Sequence, residues 1–207
     1  MWKGSRPSTA IGLTYANGPL NLAAVVDQTN FSTTKWNGVD WGNPVDDALT
    51  VTVGGNYDFQ VVKLYAGAQY FDHADLNSID NIFSKDFALS PAQTERFQVK
   101  GYGLTIGADI PAAGGTFKVA TSYLDGTIDT VNGWDMATAI GATFGEIDIS
   151  RWNTSAGYLY SLSKRTSLYG VASYSYQTVK GQKDFNGYSL DVAPTVIEVA
   201  AGIVHKF

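Results

Sequence analysis

The stretch WNTSAGYLYSLSKRTSLYGVASYSY, residues 152–176, decides the fold class. Trp152, Thr154, Ala156, Tyr158, Tyr160 and Leu162 recur at every second position. After the polar tetrapeptide Ser163-Lys164-Arg165-Thr166 the same phase resumes with Leu168, Gly170, Ala172, Tyr174 and Tyr176. A period of two places alternate side chains on opposite sides of a pleated strand, whereas a helix repeats its apolar positions every three to four residues. Two such runs around a tight polar turn read as a β-hairpin.

Working outward, the same pattern fills the chain. Ile11, Leu13 and Tyr15 alternate with Gly12, Thr14 and Ala16; beyond Asn17-Gly18-Pro19 come Leu20, Leu22, Ala24 and Val26. Leu49, Val51, Val53, Gly55 and Tyr57 form a third run, and Val62, Leu64, Ala66, Ala68 and Tyr70 a fourth. Tyr102, Leu104, Ile106, Ala108 and Ile110 are followed by Phe117, Val119, Thr121 and Tyr123. The chain closes on Ile197, Val199, Ala201, Ile203, His205 and Phe207. About nine strands result, each near the length of a tilted membrane-crossing strand.

The connections alternate between two kinds. Asn17-Gly18-Pro19, Asp58-Phe59-Gln60, Pro111 to Gly115 and Ser163 to Thr166 are tight; Phe31 to Ala48, Asp72 to Gln93, Thr127 to Ser150 and Val179 to Ala193 are long and polar. Short turns at one end and long loops at the other is the pattern of a transmembrane barrel, and a soluble sandwich has no reason to keep it through every hairpin. Composition agrees: charged residues make up 16%, with 22 Gly, 12 Tyr and no Cys among 207 residues. So few charges, against the usual quarter, suit a chain with one face in lipid. Tyr15, Tyr57, Tyr158 and Tyr160 fall toward the short turns, and Tyr70, Tyr123, Trp152, Tyr174 and Tyr176 toward the loops, as interfacial girdles require; tyrosine's plain preference for strands is the blander account.

Other classes are excluded. A net charge of −5 without a dense basic patch speaks against nucleic-acid binding. The longest charge-free stretch, Pro7 to Val26, is broken by Asn17-Gly18-Pro19 and is no transmembrane helix. The first residues, Met1 to Pro7, lack the apolar segment of a signal peptide. Two regions resist the scheme. MATAIGATFGEIDI, Met136 to Ile149, is apolar inside a long loop, and Arg96 and Lys100 fall on the apolar parity unless a bulge shifts it.

The residues resemble a known family. Tyr158 to Tyr169 (YLYSLSKRTSLY) looks like the penultimate hairpin, and Gly202 to Phe207 (GIVHKF) like the terminal strand, of the trimeric general porins of Gram-negative bacteria, closest to the beta-proteobacterial type. Tyr15 to Leu20 (YANGPL) resembles a mid-chain turn of the same family. The resemblance implies an all-β antiparallel barrel of sixteen strands in the cell outer membrane. Residues 1–207 would supply the C-terminal portion as one domain, about nine strands, with the N-terminal half and signal peptide absent. It also implies passive diffusion of ions and small hydrophilic solutes, a homotrimer when full length, contact with outer-membrane lipids and lipopolysaccharide, and insertion by the barrel-assembly machinery. Phe207, with His205 and Ile203 before it, would be the assembly signal.

Candidate site residues follow from the inward parity: Lys63, Lys118, Arg151 and Glu198 as pore-lining, with Asp27 and Asp109 nearer strand ends. In a water-filled lumen such charges set ion preference without chemistry, and Lys63 with Lys118 would form part of a basic wall. A loop-edge or solvated placement is the competing account. No catalytic residue, metal ligand or cofactor is expected. The two histidines, His73 and His205, belong to no nucleophile motif, and His73 with Asp72 and Asp75 has weak metal spacing, more simply a solvated loop. The alternative is a non-channel structural or adhesive outer-membrane barrel, which an even strand count would favour.

Overall fold

The computed structural model describes residues 8–30, 35–36, 39–40, 47–75, 98–129, 147–181 and 190–206. Every regular element among them is a strand: β1 (Ser8–Asn17), β2 (Leu20–Thr29), β3 (Lys35–Trp36), β4 (Val39–Asp40), β5 (Ala48–Asp58), β6 (Lys63–Asp75), β7 (Gln98–Ala112), β8 (Gly115–Asp129), β9 (Ile147–Ser161), β10 (Thr166–Gly181), β11 (Leu190–Val192) and β12 (Thr195–His205). β3 and β4 pair with each other within the first long connection. The others form one antiparallel sheet in chain order, β1-β2-β5-β6-β7-β8-β9-β10, with β11 and β12 both on β10.

Those last two are one strand in two pieces. Val192 faces Val179 and Thr195 faces Tyr176, the same register three residues on. The break falls at Ala193-Pro194, because proline has no N–H to give the ladder; its carbonyl still accepts from Gln177 N at 3.0 Å. Among the described residues the sheet thus has nine strand positions, as the alternation predicts.

Tight turns have local causes. Gly18, at φ 55°, closes β1–β2, and Ala113 and Gly114, at φ 48° and 79°, close β7–β8; paired positive φ values match the twist of a two-residue hairpin. Between β5 and β6, Asp58 Oδ1 accepts from Gln60 N at 2.7 Å and fixes that residue at φ 71°. Between β9 and β10, Ser163 Oγ accepts from Arg165 N and Thr166 N.

The registers decide which runs share a face. Leu13 lies opposite Ala24, Ala24 opposite Val53, Val53 opposite Ala68 and Ala68 opposite Leu104. Leu104 in turn faces Tyr123, Tyr123 faces Trp152, Trp152 faces Tyr176, and Tyr176 faces Thr195. Every apolar run found by alternation therefore lies on one side of the sheet. That side is open: Leu13 is 74% exposed, Ile106 60% and Val199 79%. Each such side chain left in water forgoes about 1.5–3 kcal/mol of transfer free energy, so the face is built for hydrocarbon.

At the loop end the strands outrun the apolar alternation. β7, β8 and β9 have 15 residues each and β10 has 16, whereas roughly 9–11 cross a bilayer. The loops are correspondingly shorter than the alternation implies, because backbone pairing continues after lipid contact ends. Here the apolar side chains change face. Phe71, Val99, Ile128, Ile147, Ile149 and Val179 sit on the otherwise polar side and are buried. The Phe71 ring lies over Gly126, where a Cβ would come within 3.5 Å of it. This switch explains the awkward segment before Trp152: Ile147 and Ile149 begin β9 in the opposite phase, while residues 136–146 lie outside the described residues.

The bulge lies in β6 rather than in β7. Phe71 faces Gly101 and Ala74 faces Val99, so Asp72 and His73 together oppose Lys100, with His73 at φ 54°. Lys100 keeps the parity of Tyr102, but beyond the aromatic belt, where Asp72 Oδ1 lies 3.7 Å from its Nζ. Arg96 lies outside the described residues. His73 Nδ1 pairs with the same Asp72 oxygen at 3.1 Å, and among the described residues no group of three metal-ligating side chains converges.

Among the described residues the sheet does not close on itself. β1 pairs only β2 and β12 only β10, and both run toward the short turns.

Candidate functional site

The polar face of the sheet is the candidate site. Its most ordered feature is a row of charges across four neighbouring strands near the short turns. Asp58 on β5 lies opposite Lys63 on β6, Lys63 opposite Asp109 on β7, and Asp109 opposite Lys118 on β8. Directly opposed residues point to the same side of a sheet, so the row reads minus, plus, minus, plus.

Asp109 is its hub. Lys118 Nζ lies 2.5 Å from Asp109 Oδ2, and Tyr65 Oη donates to the same oxygen at 2.9 Å. Lys63 Nζ sits over the Tyr65 ring, 5.4 Å from its centroid. Lys118 and Asp109 side chains are 48% and 22% exposed; an ion pair so open to water stabilises the fold by about 0–1 kcal/mol. The arrangement matters more for the field it creates than for stability. Beside it, Tyr65, Asp109, Lys118, Ser155, Tyr169 and Val171 rim a recess of about 400 Å³ over Gly107 and Gly157.

The remaining predicted residues take other places on this face. Glu198, on β12, lies opposite Ser173, which donates to Glu198 Oε2 at 3.3 Å. Arg151, on β9, faces Leu124 and Gln177, six residues along β9 from the Gly157 that faces Lys118, or roughly 20 Å toward the loops. The four predicted pore-lining residues thus share one face, and only Lys63 and Lys118 meet in one cluster, separated by Asp109. Asp58 and Tyr65 were not singled out from sequence. Asp58 was legible, since it and Lys63 flank one tight turn; Asp109 and Lys118 likewise lie four residues either side of Ala113-Gly114.

On the apolar face, Ile203 is 63% exposed and lies opposite Leu168, and His205 Nδ1 is 2.9 Å from Thr166 Oγ1. Lys206 N donates to Arg165 O at 2.9 Å, tying the end of the last strand to the β9–β10 turn. Phe207 lies outside the described residues.

An antiparallel sheet with an exposed apolar face on one side and ordered charges on the other leads to one comparison, and residues 3–182 match the Gram-negative porin family. The chain belongs to the Gram-negative porins. It is 30% identical over 197 residues to an outer membrane porin protein of Bordetella pertussis, covering 95% of this chain and 45% of that protein. Its fold resembles the anion-selective porin from Comamonas acidovorans, at a TM-score of 0.56 and 22% identity, over 97% of this chain and 49% of that one. The chain therefore spans about half the length of the relatives it matches. Family membership places it in the outer membrane, with the apolar face of the sheet as its lipid side.

Proposed function

We propose that this porin chain forms part of the wall of a water-filled channel that passes ions and small hydrophilic solutes down their gradients, without a catalytic step. The observation that carries this reading is the division of the sheet by register: all nine apolar runs on one side, and Asp58, Lys63, Asp109, Lys118, Arg151 and Glu198 on the other. A charged lining opposite a lipid face has use only where water fills the interior.

The sheet supports the architecture that the resemblance implies. Since β1 and β12 run the same way, an odd number of further strands must stand between them in an antiparallel barrel; seven more give sixteen. In this reading residues 1–207 are a single barrel domain that pairs with an N-terminal half, the full-length protein is a homotrimer, its outer surface meets outer-membrane lipids and lipopolysaccharide, and Phe207 with Ile203 and His205 is read by the barrel-assembly machinery. The non-channel structural or adhesive barrel draws no support from the odd strand number, since this sheet cannot close antiparallel on itself.

The test is reconstitution of the protein, expressed into outer membranes, in planar bilayers and sugar-loaded liposomes. Stepwise conductance that scales with salt, together with swelling in small sugars, is expected. A protein that assembles in the membrane but conducts neither ions nor sugars overturns the reading.

A further inference from the structure

The charge row carries an inference about specificity that rests on the channel reading above. Two lysines on one lumen wall suggest a basic, anion-favouring surface, yet the registers interleave them with two aspartates. Charges of alternating sign at the inter-strand spacing of about 4.8 Å largely cancel one another, and the row, with zero net charge, keeps only the weaker field of its two ends. An uncompensated charge instead reaches over a Debye length, about 10 Å at 0.1 M salt. An ion several ångströms from the wall therefore senses an unbalanced residue more strongly than the intact row.

We propose that Asp109 is a specificity-determining residue: it holds this part of the wall electrically neutral by standing between Lys63 and Lys118, and so withholds from the channel the anion preference that two lysines would otherwise impose. Its place in the register and two side-chain contacts make it the hub. It lies opposite both lysines in register, pairs with Lys118 Nζ at 2.5 Å, and accepts from Tyr65 Oη at 2.9 Å. Asp58, beyond Lys63, completes the balance but is the outermost charge, opposed on one side only by a lysine. The order of the four charges, rather than the number of lysines, sets what a passing ion meets at the short-turn end.

The experiment is the ratio of anion to cation permeability, from reversal potentials in a salt gradient near 0.1 M, on the protein reconstituted from outer membranes. Asp109→Asn leaves the row at net plus one and is expected to raise the ratio about 1.5- to 2-fold, the size of one screened unit charge at the pore wall. Lys118→Met leaves it at net minus one and lowers the ratio by a similar factor. The double variant, neutral again, returns to the wild-type ratio. Asp58→Asn, away from the Tyr65 contact, shifts the ratio the same way as Asp109→Asn and serves should that variant fail to assemble. All shifts shrink toward unity at 1 M salt, which a merely structural disturbance would not do. Conducting variants whose ratios stay unchanged, or shift in the same direction for Asp109→Asn and Lys118→Met, overturn the proposal and leave the channel reading standing. A wild-type protein that conducts nothing overturns both.

Discussion

Tyr158 shows how one side chain serves two ends at once. Its ring stacks beside that of Tyr160, with centroids 6.4 Å apart, on the lipid side at the short-turn end. Its hydroxyl reaches back across β8 to the β7–β8 turn, donating toward Ala112 O at 2.9 Å and Ala113 O at 3.0 Å. Ala113 holds a positive φ that a residue with a Cβ adopts at a cost, so the contact secures a turn that would otherwise relax. Tyr158→Phe keeps the ring and removes the bond. The expected loss is about 1 kcal/mol, the net value of one such hydrogen bond, read as a lower urea midpoint for the folded protein in detergent or lipid.

A strand in this sheet has two solvents, and adjacent residues report different ones. On β7, Ile106 lies midway between Tyr102 and Ile110 on the lipid side, while Thr105 faces Gly67 and Ser122 on the polar side. Arginine at a lipid-facing midplane position costs roughly 2–4 kcal/mol, whereas an inward one meets water. Ile106→Arg is expected to cut the folded, heat-modifiable fraction in outer membranes sharply, and Thr105→Arg to leave it near wild type. Equal losses for both would mean that the faces are assigned wrongly.

For the whole molecule, the open edges of β1 and β12 set the terms. Unpaired backbone N–H and C=O groups are not tolerated in hydrocarbon, so assembly must complete the ladder before or during insertion. The terminal strand is already anchored along β10 from Thr166 to Tyr176 and tied at Lys206 to the preceding turn. That anchoring rests on residues 166–206, all before Phe207. If the role of Phe207 is recognition by the assembly machinery, its deletion lowers the amount of folded protein in outer membranes several-fold while refolding in detergent in vitro stays near normal. Loss in both settings would instead assign Phe207 a packing role.

Strand identity, the tight turns and the apolar face were legible in the described residues because they are local: the alternation of Leu20 to Val26 or of Tyr102 to Ile110 depends on neighbours two positions away, and Gly18 or Ala113-Gly114 closes a hairpin by its own backbone. The pairing of Asp109 with Lys118 could also be counted outward from their turn. What only the tertiary structure decided lies across the long connections. That Lys63 stands opposite Asp109 and that Lys100 finds Asp72 through a bulge depend on registers set by whole hydrogen-bond ladders. Such a register is a collective property of two strands far apart in the chain, and no spacing within either strand encodes it.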